Sequence, residues 1–242
     1  MERGDILRGL AQHGTGTSPE RCTEIAAELG LLTSDTLAIA GYQVPAELLP
    51  PQRDARVMKE FAYRASYCDH TQMAALIEYI RTLPTAPADL PAPTVPERKV
   101  YAQPGAGPFA AVLDGLMRNR GFGPKELPFM GLSLSTIYGS MLTYDRRDEH
   151  RWFQLSNMAG PLGWRFDDLT AVADEPPSDR PRYAMHCHHL GQVYIAAIHH
   201  TTEQLIEIAK QADRLSQRPV QGVWRPVANG FAKECPDLTG LA

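Results

Sequence analysis

Apolar residues recur along this chain at helical spacing, and no stretch shows the apolar–polar alternation of a half-buried strand. Asp5 to His13 places Ile6, Leu7 and Leu10 together, and Gly14-Thr15-Gly16-Thr17 ends that helix. Ser18-Pro19 opens the next, with Ser18 as cap and Pro19 at the first helical position; Ile25, Ala26 and Leu29 face inward before Gly30. Ser34 or Asp35 is expected to cap a third helix, in which Leu37, Ile39 and Ala40 are apolar and Gly41 closes. The prolines between Gln43 and Gln52 mark a connector. Arg53 to Leu83 reads as helix with a break near Cys68-Asp69-His70, and Met73, Leu76, Ile77 and Ile80 share one face of its second part.

Proline then recurs at 84, 87, 91, 93, 96, 104 and 108, which excludes a continuous helix or a central strand. Residues 84–108 are therefore predicted to be an extended linker between an N-terminal helical domain, 1–83, and a second one, 109–218. Phe109 to Ala173 reads as five short helices, with a compact turn at Gly131-Leu132-Ser133. Tyr183 to Arg214 returns to helix with a break before Thr201, and Leu205, Ile208, Ala209 and Ala212 line its last face. A Gly/Pro-punctuated tail, 219–242, follows. The expected fold is all-α.

The two halves resemble each other. Ile25–Ala40, IAAELGLLTSDTLAIA, lies on Met158–Ala173, MAGPLGWRFDDLTAVA, without a gap, matching Leu29-Gly30 to Leu162-Gly163 and Asp35 to Asp168. Upstream, ILRGLAQHG has a counterpart in VLDGLMRNRG; downstream, Thr71-Gln72 corresponds to Thr202-Glu203-Gln204 at the start of an amphipathic helix. The expected unit is a duplicated set of helices. The copies differ in one place: between the first and next helices the second copy has Phe122 to Trp152, where the first has only Thr15 to Arg21.

That extra stretch holds the turn Gly131-Leu132-Ser133 and the small-polar helix LSLSTIYGSML. With LGWRFDDLTAVADEPP it resembles the helix-turn-helix of Cro/phage-repressor-type (XRE-like) transcriptional regulators, over about 65 residues of the second half and, more faintly, about 30 of the first. The resemblance implies a DNA-binding regulator whose second copy carries the recognition helix and whose first copy lacks it. Carried over, Ser133, Ser135, Thr136 and Tyr138 would face the major groove of double-stranded DNA, and Lys125, Arg146, Arg147 and Arg151 would meet phosphates. The reading helix has no Lys or Arg, so hydroxyls are its base-edge groups. A homodimer is the expected assembly, with a small-molecule effector as a further partner.

Net charge, −4, requires any nucleic-acid contact to use a local basic face rather than a basic whole. The four cysteines, Cys22, Cys68, Cys187 and Cys235, form no CxxC pair and fit reduced thiols. No apolar run spans a bilayer and no secretory signal opens the chain, so a cytoplasmic protein without a membrane partner is expected.

A second feature is MHCHHLGQVYIAAIHHTTEQ, which gathers His186, Cys187, His188, His189, His199 and His200. Imidazole and thiolate suit zinc, copper or haem iron. On one continuous helix His189 and His200, eleven residues apart, would share a face; His186 and His189 have the i,i+3 spacing. The alternative function is thus a helix-turn-helix-derived scaffold that binds a small molecule or metal, or acts as an enzyme, through these groups and interhelical aromatics such as Phe61, Trp164 and Tyr194. No Ser-His-Asp set, phosphate loop or paired-carboxylate signature is present, so the balance lies against an enzyme, and the first reading needs no cofactor.

Overall fold

Helix boundaries in the computed structural model follow local chemistry closely. It describes residues 2–86, 108–121, 123, 155, 158–175 and 185–217, and among them every regular element is helical. Helix α1, Arg3–His13, buries Ile6, Leu7 and Leu10. In α2, Pro19–Leu29, Ser18 Oγ accepts from the Arg21 N–H at 3.3 Å and Pro19 takes the first position, as expected. The helices α4, Ala55–Ala65, and α5, His70–Thr82, meet at the predicted break. Asp69 and Gln72 cap α5 reciprocally, a device repeated by Thr201 and Gln204 at the last helix, Thr202–Leu215. No described helix is long and apolar enough to cross a membrane.

The short helix α3, Thr33–Ile39, corrects one expectation. Its N-cap is Leu32, which makes no side-chain cap bond, and neither Ser34 nor Asp35 serves as cap. Asp35 lies inside the first turn, fully buried, with its carboxylate turned to groups far along the chain.

The other described helices follow the proline-rich stretch. After α6, Pro108–Arg118, come helical residues 158–162 (α7), then α8, Phe166–Val172, α9, Met185–Ala196, and α10, Thr202–Leu215. The end of α2 and the end of α7 have the same closure. Gly30 and Gly163 adopt φ of 62° and 68°, and the next N–H, Leu31 or Trp164, bonds back to Ala26 O or Ala159 O at 2.9 Å. Helices α3 and α8 are both seven residues long and end in a second matched turn, with Tyr42 N–H on Leu37 O and Glu175 N–H on Thr170 O, each at 2.9 Å.

Packing is reciprocal between the halves. Helix α1 lies against α8 and α6 against α3; α4 packs on α10 and α9 on α5; α5 and α10 also meet each other. Residues before and after the proline-rich stretch thus contribute to one hydrophobic core, from Leu7, Phe61 and Leu76 to Leu113, Leu169 and Ile208. The match is incomplete at the outer helices. Contacts of α1 on α8 run in the same chain order, Arg3 at Asp168 and Gln12 at Asp174, whereas those of α6 on α3 run in reverse, Gly115 at Ala38 and Arg120 at Asp35.

Candidate functional site

Lys125, Ser133, Ser135, Thr136, Tyr138, Arg146, Arg147 and Arg151 lie outside the described residues. On either side of them in the chain, Asn119, Arg120 and Gly121 directly follow α6 and Leu155 is buried.

The end of α6 is held on a buried carboxylate. Arg120 and Asp35 are both essentially inaccessible, and Arg120 Nη1 and Nη2 donate to Asp35 Oδ1 and Oδ2 at 3.0 and 2.8 Å. This two-point geometry matches a planar guanidinium to a planar carboxylate. Asn119 Nδ2 and the Trp164 indole N–H add donors to Asp35, each at 2.9 Å. Arg120 completes its own set by donating from Nε to Leu162 O at 2.7 Å and from Nη1 to Leu116 O at 2.6 Å. A buried charge is tolerable only when paired and bonded in this way. The group joins the first turn of α3, the end of α6 and the end of α7.

A counterpart lies across the molecule. Asp168, at the position of α8 that corresponds to Asp35, accepts Arg3 Nε on both oxygens at 2.8 and 2.9 Å, and Arg3 Nη1 donates to Leu29 O. Each cation therefore joins the acid of the opposite half to the carbonyl of the Leu that precedes the helix-ending Gly of its own half. Arg3 sits in the first turn of α1 while Arg120 follows the end of α6, so the role recurs without the residue position. Small residues let these helices close in: a Cβ on Gly115 would stand 2.8 Å from Ala38 Cβ, and Ala171, matched to Ala38, faces Gly4.

Arg53 braces the end of α6 from the α4 side. Its Nη2 donates to Arg120 O at 2.6 Å and its Nη1 to Ala197 O at 3.3 Å, so the cation faces the carbonyl ends of α6 and α9, where the helix dipole is negative. Burial pulls its guanidinium down to about 10, with Tyr194 acting in the opposite sense. Gly121, at φ 70°, is needed twice over, because a Cβ there would run into the Arg53 guanidinium.

The histidines do not form one helical face. Helix α9 ends at Ala196, and His199 and His200 fall in the joint that follows, so the expected alignment of His189 with His200 along a single helix is lost. His186 and Cys187 belong to α9, but their side chains are outside the described set. His189 stacks on His70 of α5 with ring centroids 4.5 Å apart, and His188 lies edge-on to His189 at 6.1 Å. His200, a residue only 3% exposed, has the backbone of Ile80, Ala197 and Leu83 around its ring. Burial lowers the pKa of His188, His199 and His200; His189 adds to this at His188, Arg53 at the other two. Among the described residues no group of three or more His, Cys, Asp or Glu stands where it would hold a metal ion. Of the aromatics, Phe61 and Tyr194 pack on each other at 5.1 Å within the core, and Trp164 belongs to the Asp35 group.

The sequence match of Asp35 with Asp168 is thus a match of ion-pair acids, not of helix caps, and nothing in the local pattern marks Arg3, Asn119 or Arg120 as their partners or Arg53 as the brace of α6. The available signal was an acid repeated at a matched position beside apolar neighbours. Its cation, 85 residues away for Asp35 and 165 for Asp168, was not readable from spacing. Comparison with protein-family models, with curated proteins and with solved structures finds no match to this chain.

Proposed function

We propose that this chain is a DNA-binding transcriptional regulator of the helix-turn-helix type, in which the described helices are the mount and residues 124–154 carry the reading surface. The observation that supports this best is the rigid anchoring of the end of α6, shortly before those residues in the chain. Arg120 is fixed by Asp35 and by the Leu116 and Leu162 carbonyls, while Arg53 holds its own carbonyl. Base discrimination needs side chains held to a fraction of an ångström, which a loop on a rigid frame provides and an unsupported loop does not. On this reading the halves are copies of one unit. Their matched helix ends at Gly30 and Gly163 and their matched acids support that origin.

In this scheme Ser133, Ser135, Thr136 and Tyr138 read base edges and Lys125, Arg146, Arg147 and Arg151 contact phosphates. The test is duplex binding as a function of salt. Four phosphate contacts give a log–log slope of about −3.6, and removing Arg146 and Arg147 together reduces its magnitude by about 1.8. No duplex binding at low salt ends the proposal.

The second reading, a scaffold that binds metal or haem near His186–His200, draws on the stacked His70 and His189 and on His188 edge-on beside them. It predicts stoichiometric metal or visible absorbance in purified protein. Metal content unchanged after replacing all five histidines of the cluster with Ala refutes its metal form.

A further inference from the structure

We propose that helix α1 is an exchangeable arm through which two copies of this chain form a dimer, each laying its first helix on α8 of the other. Such a dimer requires nothing of residues 124–154. Among the described helices α1 packs chiefly on α8, from the far half of the chain, and only lightly on α3 of its own half. Its apolar face, Ile6, Leu7 and Leu10, is buried in the core. The polar contacts point the same way. Arg3 meets Asp168, Arg8 Nε lies 3.3 Å from Asp174 Oδ1, and Gln12 Nε2 donates to that same oxygen at 3.3 Å. Arg3 and Gln12 thus fix the two ends of α1 along α8.

The link from α1 to its own half is short and turns back. Arg3 Nη1 donates to Leu29 O, at the far end of α2, so α1 and α2 run antiparallel and residues 14–18 reverse the chain between them. The Thr17 N–H on Gly14 O at 3.1 Å and the Tyr42 hydroxyl on Thr15 O at 2.9 Å hold that reversal. Thr15 and Gly16 are exposed, and Gly14 takes φ 53° and ψ −130°, which suits a residue without Cβ. Straightening the link breaks these two hydrogen bonds and leaves α1 itself intact. On a second copy α1 regains every contact it had, Leu29 O included. Closed and exchanged forms therefore differ mainly in the link and in mass action.

The chain already makes one such trade internally. Helix α6 lies on α3 of the N-terminal half with Gly115 against Ala38, as α1 lies on α8 with Gly4 against Ala171. The two crossings are not equally fastened. Helix α6 is tied by the wholly buried Arg120–Asp35 pair, whereas Arg3, the cation on Asp168, is 29% exposed. A desolvated pair is costly to separate, and a partly hydrated one much less so. Of the two crossing helices, α1 is the one that can leave and return.

The test is the full chain carrying Gly4→Cys and Ala171→Cys. A Cβ at position 4 would stand 3.7 Å from Ala171 Cβ, the separation that a disulfide spans. Light and heavy isotope-labelled chains are mixed equally and equilibrated just below the unfolding transition, at concentrations from micromolar to millimolar. They are then oxidised and digested, and mass spectrometry reads the peptide that joins positions 4 and 171. Exchange puts a light and a heavy strand in one such peptide, and while closed monomers dominate, that share rises about tenfold for each tenfold in concentration. Deleting Thr15 and Gly16 from the same variant removes the room to reverse, so mixed peptides and a dimer on sedimentation should then predominate. Single-isotope peptides at millimolar concentration with the intact link overturn the exchange. So does a helical shortened chain that stays monomeric, or a dimer whose 4–171 disulfide lies within one chain. The intact-link result decides by itself where the shortened chain does not fold.

Discussion

Replacing Arg120 with Met tests the buried anchor most directly. The substitution keeps a long apolar stem but removes a guanidinium that is wholly inside the protein. Asp35 then keeps the Asn119 and Trp164 donors and loses its counter-charge, and Leu116 O and Leu162 O each lose a donor. Removing one member of a buried pair costs about 3–5 kcal/mol, because the remaining charge has no water to turn to. The matched substitution Arg3→Met is the internal control. Arg3 is 29% exposed, so water replaces part of what is lost and the expected cost is about 1–2 kcal/mol. Urea unfolding followed by far-UV circular dichroism reads both. At a slope of roughly 2 kcal/mol/M, Arg120→Met lowers the midpoint by about 1.5–2.5 M and Arg3→Met by under about 1 M. The double variant Asp35→Leu, Arg120→Met removes both charges and is expected to cost less than the sum of its single changes. A cost below about 1 kcal/mol for Arg120→Met, or strict additivity in the double variant, refutes the view that this pair is a desolvated, mutually dependent unit.

Two further outcomes follow from the packing and from the histidines. Helix α9 crosses the end of α7 so closely that a Cβ on Gly191 would meet Gly160 O and lie 2.5 Å from Gly163 N. Gly191→Ala should therefore cost about 1–3 kcal/mol, a drop in Tm of roughly 3–10 °C, whereas Gly16→Ala, with nothing within 4 Å, should stay within about 0.5 kcal/mol. An unchanged Tm for Gly191→Ala would mean that the helices are not in backbone contact there. Burial keeps His188, His199 and His200 below the ordinary 6.5 in the folded chain, so the unfolded chain takes up protons first as pH falls. Stability is thus fully present above about pH 6.5 and declines as pH falls through the folded-state values, which unfolding curves at pH 7.5 and 5.5 check. Substituting His200 by Gln should flatten part of that decline; stability that rises on acidification contradicts the burial of these rings.

Much of the architecture was written locally. The spacing of Ile6, Leu7 and Leu10, the Ser18-Pro19 start and the break at Cys68-Asp69-His70 depend on residues within a turn or two of one another, and the helices formed where these signals stood. The glycines at 30 and 163 likewise announced matching helix ends, since a positive φ is a property of the single residue. What Asp35 and Asp168 do was decided elsewhere. An acid in the first turn of a helix satisfies local rules as a cap, and only the approach of Arg120 and Arg3 from the opposite half made these carboxylates buried ion-pair partners. The same holds for the histidines, which are neighbours in sequence but are distributed by the end of α9 into a ring stack on His70 and a buried joint at His200. Local hydrogen bonding and periodicity are properties of short segments and are legible one helix at a time. Desolvation and charge pairing depend on which helix arrives from the far side of the core, and that is set only when the two halves interlock.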